Sequence, residues 1–290
     1  MFKLNNLYHP VTAQPFLKDE TYVEIQPCEA LKPYICCFWG MPQPYAGHIS
    51  IQAKDKLVIP DTCMDIIYNI HTDKNEITDL FAGISDTTFK DNADNVTSST
   101  SCFAIRFYCW AVPLFSGRSM KHALNAFIGA EAYFTNFKRD LHNILIGNHL
   151  ISDRVEKVEQ YLIKMLNLDK QNNNVMNAIY RILVSKGTSN ISELTGFTGV
   201  SQRQLERLFL EYVGVSPKKL SCLVRYQYLW QDILFNGNFN FQDGVFKYGY
   251  TDQSHLINDF RKYHTMSPMD AKMFAYVHSD VDLLQYNINI

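Results

Sequence analysis

Short apolar segments separated by turn-forming residues dominate roughly the first 115 residues of the chain. Lys56–Pro60 and Met64–Ile70 are rich in β-branched and aromatic residues, and in Cys102–Trp110 large apolar residues occupy every second position from Phe103 to Phe107. Alternation with a period of two places one set of side chains on each face of a strand. Short strands separated by Pro, Gly and Asp predict a small β-barrel or sandwich.

From about Lys121 the apolar pattern changes to helical spacing, and Ile151–Leu168 is its clearest example. We expect Ser152 to cap the amino-terminal end of this helix. Two interpretations of its apolar stripe stay open, because such a stripe is typical both of a helix that covers a β-domain and of half a dimer contact. The stripe consists of four residues at spacings of three and four: Val155, Val158, Leu162 and Leu166.

A polar segment without periodicity, Asp169–Asn174, follows this helix and is typical of a linker. A chain of 290 residues is also longer than one ordinary domain. We therefore predict an α+β protein of two domains. An amino-terminal β-barrel with flanking helices occupies residues 1–170, a linker occupies 171–175, and an all-α domain occupies 176–290.

The second half of the chain contains an internal repeat. The stretches GVSQRQLERLFLEYVGVSP, from Gly199, and GYTDQSHLINDFRKYHTMSP, from Gly249, share Gly, an apolar residue, Ser or Thr, and later Leu, Phe, Tyr and Ser-Pro. A helical pattern precedes each copy. A helix, a turn with a positive-φ glycine, and a second helix capped by Ser or Thr form a helix-turn-helix. The repeat predicts two such units, and Pro217–Gly237 is predicted to be one long helix between them.

The second helix of each predicted unit has an apolar face and a polar face. Arg pairs with guanine and Gln with adenine at base edges in the DNA major groove. We predict that base edges are contacted by Gln202, Arg203, Glu206 and Arg207 in the first unit, and by Gln253, Ser254, Ile257 and Asn258 in the second. Candidates for phosphate contacts are Ser201, Lys218, Lys219, Thr251, His255, Arg261 and Lys262.

The net charge of −2 conceals an uneven distribution along the chain. Residues 176–276 contain 11 Lys and Arg against 8 Asp and Glu, so this region is mildly basic and the remainder acidic. Such a distribution is compatible with double-stranded DNA as the partner. Because no apolar run approaches the ~18 residues of a membrane span and no apolar leader is present, we expect a cytoplasmic protein.

Residues 188–275 resemble the DNA-binding half of the AraC/XylS transcription regulators. The resemblance rests on ISELTGFTGVSQRQLERLF, on GYTDQSHLINDFRKY, and on Ser-Pro at 216–217 and 267–268. It implies seven helices, two successive major grooves as the target, a nucleoid-associated bacterial regulator, and RNA polymerase as a further partner. Gly244 departs from the usual aliphatic residue, which costs about 1 kcal/mol of helix propensity, and Asn258 stands where many members carry arginine.

The front half is similar to the sensor domains of a subgroup of these regulators, which are cupin-like barrels. The matching stretches are LVIPDTCMDIIYN, FAGISDTTF and AIRFY. This resemblance implies a small-molecule effector of unknown identity and is compatible with a homodimer, and no cofactor is expected. Arg106 lies on the strand face opposite Ile105, so it is either a solvated residue or a side chain that points into the barrel and binds an anionic effector.

Two other functions stay open as alternatives. A metal-dependent cupin-type enzyme would draw on His48, Asp61, Cys63, Asp65 and His71, but no H-x-H or H-E-x-x-H spacing is present, so we predict neither a metal site nor an enzyme. A thiol-sensing regulator would use Cys36 and Cys37. Adjacent residues of a strand point to opposite faces, which makes a joint role awkward, and the odd number of cysteines, seven, argues against a disulfide framework.

Overall fold

The computed structural model describes residues 3–16, 22–41, 56–91 and 100–276. The amino-terminal part is a six-stranded antiparallel sheet of order β1-β2-β7-β4-β5-β8, and a separate two-stranded ribbon pairs β3 with β6. The strands are β1 Val23–Ile25, β2 Ile35–Gly40, β3 Lys56–Val58, β4 Cys63–His71, β5 Glu76–Ala82, β6 Phe89–Asp91, β7 Thr100–Tyr108 and β8 Phe127–Ile128. The predicted α+β class with a strand-rich first domain is confirmed. Within the described ranges β1 and β8 stay edge strands, so the sheet is open and does not close into the predicted barrel.

One face of this sheet carries the core of the first domain. Phe103, Ile105 and Phe107 are fully buried, as their alternation predicts. The Phe107 ring stacks on Phe134 with 5.7 Å between ring centroids. Helices α1 (Val112–Phe115), α2 (Phe137–Gly147) and α3 (Ile151–Met165) flank the sheet, and they remove its apolar face from water, which is the main gain in folding free energy here.

The apolar stripe of α3 is used inside its own chain. Val155, Val158 and Leu162 are buried, and Leu166 is partly buried against the same core. The structure therefore supports the interpretation that α3 covers the sheet, and the three buried side chains offer no free surface for a second copy. The predicted cap is wrong, because α3 begins at Ile151 and the Ser152 hydroxyl donates to the Asp153 carboxylate instead of capping the backbone.

The second domain is helical and follows the first almost without an interval. Its helices are α4 Asn173–Val184, α5 Ile191–Thr198, α6 Gln202–Tyr212, α7 Pro217–Phe235, α8 Phe241–Lys247, α9 Gln253–His264 and α10 Pro268–Tyr276. The side chain of Asn172 caps α4, within the predicted linker, by accepting from the Val175 amide at 3.2 Å. Just before it, the Lys170 ammonium donates to the Ser116 carbonyl at 3.0 Å, so the junction is tied to the first domain.

The long helix α7 is the centre of the second domain. Trp230 and Tyr226 on α7 pack against Phe260 and His264 on α9, with 4.6 Å between the centroids of Trp230 and His264. Pro217 occupies its first turn and Ser216 caps it by accepting from the Lys219 amide at 3.2 Å, as the Ser-Pro motif predicts. Nothing among the described helices has both the length and the apolar character of a bilayer span.

His264 makes the stability of this core depend on pH. It is fully buried, its Nδ1 lies 2.8 Å from the Tyr226 hydroxyl, and burial lowers its pKa to about 3. The unfolded chain binds a proton near pH 6.5 and the folded chain does not, so stability is complete above that pH and is lost on acidification. We expect the free energy of unfolding in urea to fall by about 2 kcal/mol between pH 8 and 5 through this residue alone. His264→Gln should remove that part of the pH dependence, and an unchanged dependence would contradict the assignment.

The amino-terminal segment, residues 3–16, lies along α7 and joins the two domains. Gln227 accepts from the Val11 amide at 2.8 Å and donates to the Pro60 carbonyl at 2.7 Å. The indole of Trp230 donates to the Thr12 carbonyl at 3.0 Å. Side chains of α7 thus form hydrogen bonds with backbone groups of the first domain that would otherwise lack a partner. The helix therefore packs against both domains.

Candidate nucleic-acid interface

The first predicted unit has the geometry of a helix-turn-helix. Asn190 caps α5 by accepting from the Glu193 amide at 3.0 Å. Gly199 then takes φ +71°, a conformation that glycine adopts without a Cβ penalty, and ends the helix. Ser201 caps α6 by accepting from the Gln204 amide at 3.3 Å. The turn therefore forms as predicted, with Ser201 serving the helix backbone.

The second unit repeats this arrangement with one change. Gly249 has φ +64°, but the cap of α9 is Asp252, which accepts from the His255 amide at 2.8 Å. The expectation that Thr251 would cap is wrong, because the turn is one residue longer than in the first unit. The Thr251 hydroxyl instead lies 2.8 Å from Nδ1 of His255, so these two candidate phosphate contacts are adjacent at the start of α9.

Both second helices bury the apolar faces that the pattern predicts. Leu205, Leu208 and Phe209 are buried on α6, and Leu256, Phe260 and Tyr263 on α9. The side chains predicted to contact bases are on the opposite faces. Gln202, Arg203, Arg207, Gln253, Ser254 and Asn258 are exposed, and Glu206 and Ile257 are half-buried. Each helix thus presents a solvent-facing polar surface that begins at its amino-terminal end.

Two contacts within α6 pre-arrange its polar face. Gln202 donates to the Glu206 carboxylate at 2.9 Å, one helical turn apart. The Arg207 guanidinium lies 3.4 Å from Glu211 and its side chain is 66% exposed. Exposed i,i+4 pairs contribute only about 0.3–0.5 kcal/mol, so Arg207 can exchange Glu211 for another partner at little cost.

The cationic side chains predicted to contact DNA phosphates differ in their exposure and in their ion pairs. Lys218, Arg261 and Lys262 are exposed. Lys219 is engaged: its ammonium lies 2.5 Å from the Asp86 carboxylate of the first domain. Asp86 is not recognisable from the sequence, because nothing in the turn-rich stretch around it indicates a contact more than a hundred residues away.

An ion pair fixes the second unit on α7. Arg225 of α7 donates to Asp259 of α9 at 2.8 Å, and the Tyr250 hydroxyl donates to the same carboxylate at 3.0 Å. Gly244 in α8 has a packing reason that the sequence did not reveal, because a Cβ there would lie 3.0 Å from the Phe239 ring. The ring occupies the space of the expected aliphatic side chain, so part of the lost helix propensity is offset by packing.

Comparison of the chain with known protein families identifies the kind of domain that contains both units. Residues 194–272, which include both turns, match the family described as helix-turn-helix domain, and residues 23–128 match a domain of unknown function (DUF6597). By family match as well as by geometry, the carboxy-terminal domain is therefore a helix-turn-helix domain. The chain therefore joins a strand-rich first domain to a helix-turn-helix domain, the kind of domain that places its second helix in the DNA major groove.

Several solved structures are similar to parts of this chain. A regulator with an AraC-type DNA-binding domain from Chromobacterium violaceum is 21% identical over 34% of this chain and 89% of its own, with a TM-score of 0.32. ToxT from Vibrio cholerae, bound to (E)-4-(8-methylnaphthalen-1-yl)but-3-enoic acid, is 12% identical over 77% of this chain and 96% of its own, with a TM-score of 0.40. No curated protein matches the chain.

Arg106, the predicted effector contact, lies in the first domain on the sheet face opposite the helices. Its side chain is only 13% exposed and forms an ion pair with Asp61, so the interpretation as a solvated residue is wrong. Asp65, its neighbour in strand register, accepts from the Trp39 indole at 2.7 Å. Burial raises the pKa of Asp65 to about 7 despite that hydrogen bond.

The two adjacent cysteines do not point to opposite faces as expected. The strand register shifts between Ile35 and Cys37, and this bulge breaks the alternation. Hydrogen bonds from Cys37 and Cys63 lower the pKa of the Cys36 thiol well below its ordinary value. Cys36 and Cys37 therefore lie beside Arg106, the strand partner of Cys37, and the thiol-sensing hypothesis stays open.

The metal-site candidates do not assemble in the described part of the chain. There, no three side chains of His, Cys, Asp or Glu come together as a metal ion would require. His48 lies outside the described residues.

Proposed function

We propose that this protein is an AraC-type transcription regulator that reads two successive major-groove segments of one DNA duplex and changes its DNA binding when an effector occupies the first domain. α6 would contact the first segment through Gln202, Arg203, Glu206 and Arg207. α9 would contact the second through Gln253, Ser254, Ile257 and Asn258. RNA polymerase and a second copy of the chain are proposed as further partners.

One observation carries the proposal: two equivalent polar helix faces are attached to the same rigid helix. α7 contains 19 residues and therefore extends about 28 Å. Successive major-groove faces on one side of B-DNA are about 34 Å apart. The burial of Trp230 and the pair Arg225–Asp259 attach α9 to this helix, so α7 sets the approximate distance between the two units.

Phosphate contacts are proposed for the exposed cations beside the two helices, Lys218, Arg261 and Lys262, and for the polar residues at the helix starts, Ser201, Thr251 and His255. Lys219 is left out because its ammonium is paired with Asp86. Phosphate contacts position a protein on the duplex and carry no sequence information. The sequence preference would therefore come from α6 and α9.

The effector site is proposed on the sheet face of Arg106. A cation that is almost buried and ion-paired with Asp61 supports this choice, because an anionic effector could replace that carboxylate. Burial raises the pKa of the nearby Asp65 to about 7, so this carboxyl carries only about half a negative charge at pH 7. No catalytic role is proposed for this face.

The purified protein tests the central proposal directly. DNA fragments selected from a random-sequence library should contain two conserved segments about 10 base pairs apart. Footprinting should protect both segments on the same side of the duplex. Selection of no sequence above background at low salt would contradict the proposed function.

Arg261→Gln should weaken binding to all DNA sequences to a similar extent. Each phosphate contact contributes a slope of about −0.9 to the dependence of log K on log salt concentration. We expect the variant's slope to be shallower by about that amount in fluorescence anisotropy titrations. A change in sequence preference without a change in slope would show that Arg261 contacts a base instead.

A further inference from the structure

Two loops of the first domain form one rigid projection, which we call the docking ridge, at residues 84–88 and 119–126. Asn125, with φ +54°, joins them: its amide donates to the Ile84 carbonyl at 2.8 Å, and its side chain donates to Asp86 at 2.8 Å and accepts from the Asp86 amide at 3.0 Å. The Gly83 amide also donates to the Ala126 carbonyl at 2.9 Å. These hydrogen bonds join the two loops, so we treat the docking ridge as one structural unit.

The docking ridge contacts the first helix-turn-helix unit at the far end of α6. The Met120 amide donates to the Glu211 carbonyl at 2.8 Å, which satisfies a free carbonyl at the helix end. Gly214, with φ +84°, lies so close that a Cβ would be 2.8 Å from the Met120 carbonyl oxygen. Next to it, the Asp86 carboxylate pairs with Lys219 at 2.5 Å in the first turn of α7.

The same ridge contacts the second unit at the far end of α9. The Thr88 hydroxyl donates to the Tyr263 carbonyl. Burial would raise the pKa of Asp86, but hydrogen bonds from Lys219 and Asn125 and the charges of Lys219 and Lys262 lower it. Asp86 therefore stays ionised at neutral pH, between Lys219 of the connecting helix and Lys262 of the second unit.

These contacts leave the base-reading ends of the helices open. Gln202 and Glu211 are nine residues apart on α6, which corresponds to about 13 Å along the helix. With the ridge docked, Gln202, Arg203, Arg207, Gln253, Ser254 and Asn258 are exposed. Docking of the first domain is thus compatible with DNA contact, and the ridge does not act by covering the reading surface.

We propose that the docking ridge is a brace that holds the two helix-turn-helix units at the separation required for simultaneous contact with one DNA duplex. The inference rests on the proposed function and names the element through which the first domain would control it. Preorganised spacing favours the second contact once the first is made, because little further ordering is needed.

The brace is connected to the proposed effector face across three neighbouring strands, β7, β4 and β5. Arg106 is in register with Asp65, and Asp65 with Ala82, the last residue of β5. The chain continues from Ala82 through Gly83 directly into the ridge. A change in the side-chain arrangement at Arg106 would therefore shift the ridge, and with it the spacing of the two units.

The test compares two DNA probes, a selected two-segment fragment and the same fragment with the α9 segment scrambled. The ratio of the two affinities, measured with the full chain, cancels any general effect of charge. Asp86→Asn and Thr88→Val should each lower this ratio, by roughly 5-fold or more in combination, while affinity for the scrambled probe changes little. The control is Glu76→Gln, which removes one exposed carboxylate at the start of β5, away from the docking ridge. It should leave the ratio unchanged.

An unchanged or increased ratio in the double variant would overturn the brace. Urea unfolding of Asp86→Asn, Lys219→Gln and their double variant shows independently of DNA whether the pair couples the domains. Coupling with an unchanged ratio would leave the ridge as a purely structural contact and contradict the inference. A wild-type ratio of one would contradict the proposed function itself, so the two failures are distinguishable.

Discussion

Replacing Arg207 with alanine should lower the affinity for a selected DNA site by about 5- to 150-fold, or 1–3 kcal/mol, the range for a bidentate contact to guanine. Affinity for scrambled DNA should fall only by the effect of one lost charge. The structure supports a large specific effect because the guanidinium is 66% exposed and held only by Glu211 at 3.4 Å. Anisotropy titrations of both probes at one salt concentration measure the difference.

Arg139→Ala is the matched control. Arg139 is also exposed, at 74%, and is paired with Asp140 on α2 of the first domain, so the variant loses the same charge away from the interface. Its ratio of specific to nonspecific affinity should equal that of the wild type. Equal losses on both probes for Arg207→Ala would assign Arg207 to phosphates and remove it from base readout.

Gly187→Ala should destabilise the protein by at least about 3 kcal/mol, as overpacking and backbone strain combine. Gly187 connects α4 to α5 with φ +78°, and an added Cβ would lie 2.2 Å from the Ser221 carbonyl and 2.6 Å from the Arg225 amide. Both atoms belong to the backbone of α7, which cannot move away without separating the first unit from the connecting helix. Urea unfolding followed by circular dichroism measures the loss.

Gly196→Ala provides a control of the same chemistry. Gly196 lies within α5 and has no atom within 4 Å of the site of an added Cβ. Alanine there should stabilise the protein by up to about 1 kcal/mol through helix propensity. If Gly187→Ala were tolerated equally well, the close approach of Gly187 to α7 would have no energetic importance.

Sequence features that span only a few residues were sufficient to predict most of the secondary structure of the second domain. The turn glycines, Gly199 and Gly249, have positive φ as predicted, and Ser216 and Pro217 begin α7 as the Ser-Pro motif indicates. Apolar spacing also identified the buried faces of both second helices. These features are predictable because each depends on residues within a few positions of one another.

Predictions failed where one residue changed the local register. The extra residue in the second turn transferred the cap from Thr251 to Asp252. A bulge beside Cys37 brought Cys36 and Cys37 into one cluster, although strict alternation separates them. The register of a strand is set by its neighbours, so it is not readable from the strand's own sequence.

The sequence by itself determined the repeated units, the composition of their polar faces and the strand-rich nature of the first domain. Tertiary structure alone decided that Lys219 is occupied by Asp86, that the stripe of α3 is internal, and that residues 3–16 lie along α7. The physical reason is the sequence separation between the residues that interact. Helix periodicity, caps and turns depend on residues within about ten positions of one another. Pairs such as Asp86 and Lys219 depend on how the two domains pack.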